Sequence, residues 1–262
     1  MKIATWNVNS IRTRLDHLVG WLETSSVDLL CLQETKVVDK DFPRSPLEDL
    51  GYHLYISGQK AYNGVALLSK SPLTDVTIGF APIVGEATTA DLDEQKRVIT
   101  GMLGDIRIID LYVPNGSEVG SEKYEYKLRW LGVLRQYLKT LLEQHPKLLV
   151  CGDFNIAPED LDIHDPTGRE NRVMATNAER QALQQAVFDL GLADAFRKFN
   201  PGGGEFSWWD YRAAAFRRNL GWRIDHHYLS PLLYEEAKSC WIDRSPRSLE
   251  KPSDHTPVVV EF

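Results

Sequence analysis

The amino-acid sequence predicts a single-domain α/β fold, a layered sandwich in which helices cover the outer faces of β-sheets. Short apolar runs of strand character alternate with a few segments whose apolar residues recur at helical spacing. The chain has 262 residues, close to the size at which one hydrophobic core stops growing. No Pro/Ser-rich linker and no repeat of fixed period divides it, so we expect one domain over residues 1–262.

The amino-terminal segment predicts a strand, a helix and a second strand. Lys2–Val8 has strand character. Between Ile11 and Leu22, apolar residues recur at helical spacing and predict a helix with one buried face. The apolar run Val27–Leu32 predicts a second, buried strand.

Two antiparallel strand pairs are predicted next. Tyr52–Ser57 and Gly64–Lys70 pair across a loop. Arg97–Leu103 pairs with Ile106–Tyr112, because Gly104-Asp105 between them is a strong hairpin turn. Meandering sheets are therefore expected.

The carboxyl-terminal half begins with a long amphipathic helix over Leu128–Leu142 and a strand over Lys147–Gly152. Thr176 forms a capping box with Glu179 and opens a helix that continues to Leu190, where a glycine stops it. Two further strands complete the order: Arg223–Ser230 and Thr256–Phe262.

The composition excludes several classes of protein. Apolar residues make up 43% and charged residues 26%, which is typical of a globular domain and not of a disordered chain. The longest apolar runs, such as Leu29–Leu32, are far shorter than the roughly 20 residues of a membrane-spanning helix. The first ten residues lack the pattern of a secretion signal. Cys31, Cys151 and Cys240 are odd in number and lie in strand-like contexts, which predicts buried thiols and a cytoplasmic location.

The charge distribution is uneven. The net charge of −7 gives no support for a nucleic-acid partner. Between Tyr211 and Arg223, however, the chain carries four arginines and no acid: Arg212, Arg217, Arg218 and Arg223. Aromatic residues are interleaved with them: Phe206, Trp208, Trp209, Tyr211, Phe216 and Trp222. Cations beside flat rings suit phosphates next to an unstacked nucleotide, although any one ring is also explained as core.

Polar side chains follow several predicted strands at the point where each strand ends. They are Asn7, Asn9, Glu34, Tyr112, Asn115, Asp153, Asn155, Asp225, Asp254 and His255. Carboxylate and amide oxygens with few histidines suit Mg²⁺ or Mn²⁺ better than Zn²⁺, and Glu34 is the expected ligand. The neutral amides position a phosphate without repelling it. Each residue alone has a structural explanation as a turn or a solvated strand end, but the recurrence favours a site at one sheet edge.

Eight motifs in one order carry a family resemblance. They are Trp6-Asn7-Val8-Asn9, Leu32-Gln33-Glu34-Thr35-Lys36, Asn63-Gly64-Val65-Ala66-Leu67-Leu68-Ser69, Leu111-Tyr112-Val113-Pro114-Asn115-Gly116, Gly152-Asp153-Phe154-Asn155, Ser207-Trp208-Trp209-Asp210-Tyr211-Arg212, Gly221-Trp222-Arg223-Ile224-Asp225 and Ser253-Asp254-His255. With them, nearly the whole chain resembles the exonuclease III type of AP endonuclease, within the DNase I-like endonuclease/exonuclease/phosphatase superfamily.

The resemblance implies a four-layered α/β sandwich, with two packed mixed β-sheets flanked by helices, and a Mg²⁺ cofactor with Mn²⁺ as the alternative. It implies that Glu34 binds the ion and that further residues contact it directly or through water: Asn7, Asn9, Asp254 and His255. Asp153 is expected to orient or deprotonate the attacking water, helped by Asn155. Asp225 is expected to hold His255 toward the scissile phosphate, and Tyr112 to contact a phosphate oxygen.

The same resemblance implies a set of DNA-binding residues: Arg12, Lys36, Asn115, Trp208, Trp222, Arg223 and Ile224. Trp208, Trp222 and Ile224 match positions that enclose a flipped-out abasic sugar, and the others contact or support the phosphate backbone. The implied activity is cleavage 5′ to abasic sites and removal of nucleotides or blocking groups from 3′ ends of double-stranded DNA, by a monomer.

Two alternatives remain open at the level of sequence. A lipid or inositol phosphate phosphodiesterase of the same superfamily would share Glu34, Asp153, Asp225 and His255, but it has no use for the aromatic and arginine-rich stretch. A catalytically silent nucleic-acid binding module would keep that stretch without needing the acidic positions. The loop Pro158–Arg172, which contains His164, lies close after Asp153, and we expect it to influence the choice between abasic sites and 3′ ends.

Overall fold

The computed structural model of the protein describes residues 1–262 and is built from two six-stranded mixed β-sheets. The strands are β1 (Lys2–Asn7), β2 (Leu29–Gln33), β3 (His53–Ser57), β4 (Val65–Ser69), β5 (Thr74–Ile78), β6 (Val98–Leu103), β7 (Ile106–Tyr112), β8 (Leu148–Asp153), β9 (Ala193–Asp194), β10 (Asp225–Leu229), β11 (Ser239–Ile242) and β12 (Val258–Glu261). The helices are α1 (Leu15–Ser25), α2 (Ser45–Glu48), α3 (Ala81–Val84), α4 (Glu86–Thr89), α5 (Glu122–Gln144), α6 (Asn177–Ala186), α7 (Ala195–Phe199) and α8 (Pro231–Glu236).

The two sheets have the same plan. One has the strand order β11-β12-β1-β2-β4-β3 and the other β5-β6-β7-β8-β10-β9. In each, one parallel pair is joined by a crossover helix: β1 and β2 by α1, and β7 and β8 by α5. The remaining pairs are antiparallel. The carboxyl ends of both parallel pairs carry the polar strand-end residues predicted from the sequence.

Side-chain alternation divides the core into layers. Along β1, Ile3 belongs to the core between the sheets, whereas Trp6 belongs to the core between its sheet and α1. The Trp6 ring meets the edge of Trp21 on that helix, with ring centroids 5.7 Å apart. On the far side of the other sheet, α5 packs Trp130 against Phe80 at 4.9 Å. The predicted four-layered sandwich is therefore confirmed, since both faces of each sheet are covered.

Several element boundaries differ from the sequence prediction. The first helix begins at Leu15 and not at Ile11, because the backbone N–H of Ile11 bonds to the Thr35 carbonyl at 3.2 Å and keeps the chain in a loop. The capping box at Thr176 is present, but α6 ends at Ala186 and a separate 3₁₀ turn leads to the glycine. Strands β5, β9 and β11, at the sheet edges, were not predicted. The described chain has no helix that is both long and apolar enough to span a bilayer.

Candidate active site

The predicted site residues converge at one edge of the sandwich. Strand register aligns Asn7 with Gln33 in one sheet, and Asp153 with both Tyr112 and Asp225 in the other. A cavity of about 290 Å³ opens between these strand ends. Its lining comprises Glu34, Tyr112, Asn115, Asp153, Asn155, Met174, Trp208, Ile224, Asp254 and His255. All of these except Met174 were predicted from the sequence.

Asp225 and His255 form a buried pair on the floor of this cavity. His255 Nδ1 lies 2.9 Å from Asp225 Oδ2, which also accepts a hydrogen bond from Ser207 Oγ at 2.6 Å. The other ring nitrogen, Nε2, lies 3.7 Å from Asp153 Oδ2. Burial by itself would lower the pKa of His255, but the negative charges of Asp225 and Asp153 outweigh it and raise the pKa to about 10. The arrangement favours an imidazolium that faces the cavity.

Asp153 is 1% exposed and is surrounded by amide donors. Its Oδ2 accepts from Asn7 Nδ2 at 2.9 Å and from Asn155 Nδ2 at 3.2 Å, and its Oδ1 accepts from the Asn155 backbone N–H at 2.9 Å. Burial raises the pKa of Asp153 to about 7, although the nearby His255 opposes the rise. A carboxylate with a pKa close to neutrality is suited to accept a proton from water.

Glu34 is held by three neighbours. Its Oε1 accepts from Asn7 Nδ2 at 2.9 Å and from the Tyr112 hydroxyl at 2.8 Å. Its Oε2 pairs with the Lys36 ammonium at 2.6 Å, and the same ammonium donates to Asn9 Oδ1 at 2.5 Å. Burial would raise the pKa of Glu34, but Lys36 and the amide of Asn7 lower it. The carboxylate therefore stays ionised.

The position of Lys36 tests whether a metal ion fits here. Its ammonium is a cation that already lies between two oxygen donors, Glu34 Oε2 and Asn9 Oδ1. Asp254 lies next to them, since its Oδ1 accepts from Asn9 Nδ2 at 2.9 Å, and its Oδ2 accepts from Trp208 Nε1 at 3.0 Å. Carboxylate and amide oxygens form the donor set that Mg²⁺ and Mn²⁺ prefer. The group fits the predicted hard cation.

Two of the predicted metal contacts have other partners in the structure. Asn7 places its amide nitrogen between Glu34 and Asp153, and its Oδ1 accepts the backbone N–H of Asn9 at 3.0 Å. It therefore separates two carboxylates and presents no free oxygen. His255 forms a cluster with Asp153 and Asp225 whose ligand atoms lie within 4.8 Å of one another. Because the His255 ring is already bonded to Asp225, the cation fits better at Glu34.

The backbone at the site adopts an uncommon conformation. Asn9, Glu34, Lys36 and Asn155 all have positive φ, at 43°, 52°, 55° and 50° respectively. Asparagine tolerates this left-handed region, but glutamate and lysine adopt it rarely. Strained residues of this kind concentrate at functional sites, where the surrounding structure holds them in place. The sequence carries no signal for this feature.

A buried lysine supports two site amides and was missed by the sequence analysis. Lys127 on α5 is fully buried, and its ammonium donates to the Asn155 carbonyl at 2.8 Å and to the Asn115 carbonyl at 3.2 Å. It also pairs with the equally buried Glu179 at 2.5 Å. The side chains of the two asparagines are joined as well, since Asn115 Nδ2 donates to Asn155 Oδ1 at 2.9 Å. A lysine within the apolar stripe of α5, three residues before Trp130, was the available signal.

Arg223, predicted to contact or support DNA, does not reach the surface. It is 1% exposed, and its guanidinium donates to Asp162 Oδ1 at 2.6 Å, to Asp194 Oδ2 at 2.7 Å and to His226 Nδ1 at 3.0 Å. Burial argues against direct contact between Arg223 and the DNA backbone, and a supporting role stays a prediction. The sequence did not indicate the burial because both carboxylate partners are distant along the chain. Arg12 is exposed and pairs with Asp41 at 3.6 Å, outside the lining of the cavity.

The aromatic stretch serves two purposes. Phe206 and Trp209 are buried in a small core of their own, and the Arg244 guanidinium lies over the Trp209 ring at 5.2 Å. Trp208 lines the site cavity, whereas Trp222 is 6% exposed and lines a neighbouring cavity. The predicted aromatic platform is therefore partly core.

Comparisons with known proteins show which proteins this chain is similar to. The model of the Endonuclease/Exonuclease/phosphatase family matches residues 4–255. The chain is 38% identical to exodeoxyribonuclease III of Haemophilus influenzae, with all of both chains covered. Among solved structures, it is similar to a 3′ phosphatase from Neisseria bound to a product DNA hairpin, with a TM-score of 0.95 and 41% identity over 100% of this chain and 99% of that one. An AP endonuclease from Archaeoglobus fulgidus matches with a TM-score of 0.93 and 40% identity over the same shares.

Proposed function

Because the chain belongs to the Endonuclease/Exonuclease/phosphatase family and is a DNA repair nuclease, we propose that it cleaves the DNA backbone 5′ to abasic sites and removes nucleotides or blocking groups from 3′ ends. The observation that carries the proposal is the cavity in which Asp153 and His255 face each other at 3.7 Å. The relatives described above are DNA-processing enzymes by name, which favours this function over a lipid phosphodiesterase or a silent binding module.

Hydrolysis of a phosphodiester makes three demands on the site. Charge on the non-bridging oxygens must be neutralised, a water must be aligned opposite the leaving oxygen, and that oxygen must be stabilised as it departs. The cavity supplies Asp153 for the water and His255 for the charge, and the proposed cation site at Glu34 adjoins them through Asn7. Catalysis is then mainly positioning and electrostatics.

Asp153 is the proposed general base. Its amide neighbours, Asn7 and Asn155, orient the carboxylate and leave it ionisable near neutral pH. A water bound to Asp153 would lie in the cavity, because the carboxylate is part of the cavity lining. Asp153 takes the proton of that water as the oxygen attacks phosphorus; the bond between phosphorus and the 3′ oxygen breaks, and the departing 3′ oxygen takes a proton from solvent.

His255 is the proposed charge partner of the phosphate. Asp225 keeps its Nδ1 protonated, so the imidazolium directs Nε2–H into the cavity. Asn115 and Asn155 add neutral amide groups to the lining of the same cavity, and the Tyr112 hydroxyl donates to Glu34. Asn115 keeps one amide N–H for a phosphate oxygen, whereas the Tyr112 hydroxyl donates to Glu34 and has to release it before it contacts phosphate.

Glu34, with Asn9 and Asp254, would hold a divalent cation, which we propose to be Mg²⁺, with Mn²⁺ as the alternative. When bound, the ion supplies positive charge next to the phosphate. For it to bind, the Lys36 ammonium has to leave the oxygens of Glu34 and Asn9. Lys36 is then free to contact a backbone phosphate, which is its predicted role.

The cavity wall suits a deoxyribose that lacks its base. Trp208 and Ile224 supply apolar surface beside the catalytic groups, and Met174 completes it. Extruding a sugar from the duplex costs a few kcal/mol, least where the base is already absent. The wall therefore favours damaged over intact DNA. We further propose that the enzyme acts as a cytoplasmic monomer of one domain, residues 1–262.

One experiment tests the proposed function directly. The protein is incubated with a duplex containing an internal abasic site and with a nicked duplex ending in a 3′-phosphate, each with Mg²⁺ and with a chelator. Metal-dependent cleavage 5′ to the abasic site and loss of the 3′-phosphate are expected. An Asp153→Asn preparation controls for contaminating nucleases. Absence of both activities in folded protein would refute the proposal.

A further inference from the structure

A polar pair lies in the otherwise apolar core between the two sheets. Asp110 on β7 and Gln33 on β2 are both fully buried, and Gln33 Nε2 donates to Asp110 Oδ1 at 2.6 Å. Their neighbours on the same strand faces, Ile108 and Cys31, belong to this apolar core. The hydrogen bond therefore joins one sheet to the other across the core. Neither side chain has a role in the catalytic arrangement described above.

Stability alone does not account for this pair. Gln33 Oε1 and Asp110 Oδ2 are buried without a hydrogen-bond partner. A buried polar atom that is left unpaired costs free energy, and two apolar side chains of the same shape would avoid this cost. Burial also raises the pKa of Asp110 well above the ordinary carboxyl value, which favours the neutral carboxylic acid. The contact is therefore a hydrogen bond between two neutral groups.

The pair lies directly behind the proposed cation site. Gln33 is followed in the chain by Glu34, and Tyr112 follows Asp110 two residues later on the same face of β7. The Tyr112 hydroxyl donates to Glu34 Oε1 at 2.8 Å, so two successive hydrogen bonds connect β7 to the end of β2. Glu34 needs such support, because its φ of 52° is one that glutamate rarely adopts.

Gln33 is held in one orientation by two further contacts within its own sheet. Its Nε2 lies 2.9 Å from Thr5 Oγ1 and 3.2 Å from the Cys31 carbonyl oxygen. A carbonyl oxygen only accepts, so the nitrogen of the amide faces it and not the amide oxygen. Asp110 supplies the one acceptor that belongs to the other sheet. Removing that acceptor would leave the side chain of Gln33 without a hydrogen bond across the core.

We propose that Asp110 is a positioning residue for the cation site: through Gln33 it fixes the end of β2, and thereby the Glu34 carboxylate that would hold the ion. The proposal rests on the proposed function, because it needs Glu34 as a ligand. Groups that orient a metal ligand strengthen metal binding. Asp110→Asn keeps the accepting oxygen and the neutral state, whereas Asp110→Leu has a similar shape and removes the acceptor.

Mg²⁺ binding to the metal-free protein is measured first, by calorimetry without DNA. Asp110→Leu is expected to weaken it by about tenfold, whereas Asp110→Asn is expected to bind like the wild type. The double variant Asp110→Leu with Gln33→Leu leaves no amide unpaired. Its stability to urea is expected to recover while its Mg²⁺ binding stays weak, and it gives the same comparison if Asp110→Leu does not fold. Ile108→Ala is the matched control: it opens a cavity in the same core, so stability falls and Mg²⁺ binding stays normal.

Cleavage of a 3′-phosphate duplex is measured second, at several Mg²⁺ concentrations. Asp110→Leu is expected to need more Mg²⁺ for half-maximal rate, with an unchanged KM for DNA, which a purely structural role would not produce. Normal Mg²⁺ binding in Asp110→Leu or in the double variant, weak binding in Asp110→Asn, or equally weak binding in Ile108→Ala would overturn the positioning role. Wild-type protein that binds no Mg²⁺, or has no hydrolytic activity, would instead refute the proposed function.

Discussion

Asp225 Oδ2 lies 2.9 Å from His255 Nδ1, and both side chains are buried beneath the candidate active site. The pair comes from two different sheets, since Asp225 begins β10 and His255 precedes β12. The pair therefore forms only when the two sheets pack against each other.

Asp225→Ala is expected to move the alkaline limb of the pH–rate profile to lower pH. The Asp225 charge helps to raise the pKa of His255 to about 10, so activity that needs the imidazolium persists below that pH and is lost above it. Removing the carboxylate lowers this pKa, and activity is lost at a lower pH. Rates on a 3′-phosphate duplex across the alkaline range check this. Asp225→Asn keeps a hydrogen-bond acceptor and removes only the negative charge, so it shows the effect of the charge alone. If the alkaline limb stays at the same pH in both variants, the His255 imidazolium is not required for activity.

Asp153→Asn is expected to abolish cleavage while DNA binding stays intact or becomes tighter. The lost carboxylate acts on the water, and its charge also repels phosphate. Cleavage is expected to fall by at least about a thousandfold. Electrophoretic mobility shift with a chelator measures binding, and single-turnover rates measure cleavage. Asp189→Asn, an exposed acid outside the cavity lining, is the control. Loss of binding in a folded Asp153→Asn protein would contradict the assignment.

Glu34→Gln is expected to lower metal-dependent cleavage by roughly a hundredfold and to weaken Mg²⁺ binding. An amide cannot supply the charge that a hard cation requires of its ligand. Calorimetric titration with Mg²⁺ reports on the site independently of catalysis. Glu23→Gln changes an exposed glutamate outside the cavity and serves as the control. Unchanged Mg²⁺ affinity would exclude Glu34 as a ligand.

Arg223→Met is expected to destabilise the fold and to leave DNA affinity unchanged at temperatures where the protein stays folded. The substitution leaves Asp194 buried without its cation, while Asp162 keeps only its ion pair with Arg197, at a cost of about 3–5 kcal/mol in the free energy of unfolding. Burial would raise the pKa of Asp194, but Arg223 outweighs it and lowers this pKa. The ion pair therefore stabilises the fold above the ordinary carboxyl pKa, and this stabilisation is lost as the pH falls through the lowered pKa of Asp194. Urea unfolding at several pH values measures the effect. Normal stability and weakened DNA binding in Arg223→Met would instead show that Arg223 contacts DNA.

Lys127→Met is expected to lower kcat by about tenfold with little change in KM, because Lys127 holds the carbonyls of Asn115 and Asn155 in place. It also leaves Glu179 buried without a counter-charge, which lowers stability. The double variant Lys127→Met with Glu179→Gln removes the unpaired charge. Stability is then expected to recover in part while kcat stays low. Full recovery of kcat in the double variant would show that Lys127 has no positioning role.

Much of the site was predictable from the sequence because it lies at strand ends. A buried strand needs a continuous apolar run, and an abrupt change to Asn, Asp or Glu marks where that run reaches an edge. Asn7, Glu34 and Asp153 were found in this way, and the sheets bring them to hydrogen-bonding distance through Asn7. The longer helices and the central strands followed from the same periodicities, whereas three of the four edge strands, β5, β9 and β11, carry too weak a pattern.

The sequence by itself determined the layered α/β architecture, the family resemblance and the residues at the strand ends, because these depend on local periodicity and on motif order. Only the tertiary structure decided which charges are free to act. Arg223 and Arg172 are alike as residues in the chain, yet one is buried between Asp162 and Asp194 while the other lines an open cavity. Folding brings together ionic partners that are distant in sequence. A buried charge is paired within the protein, whereas an exposed charge remains available to a ligand.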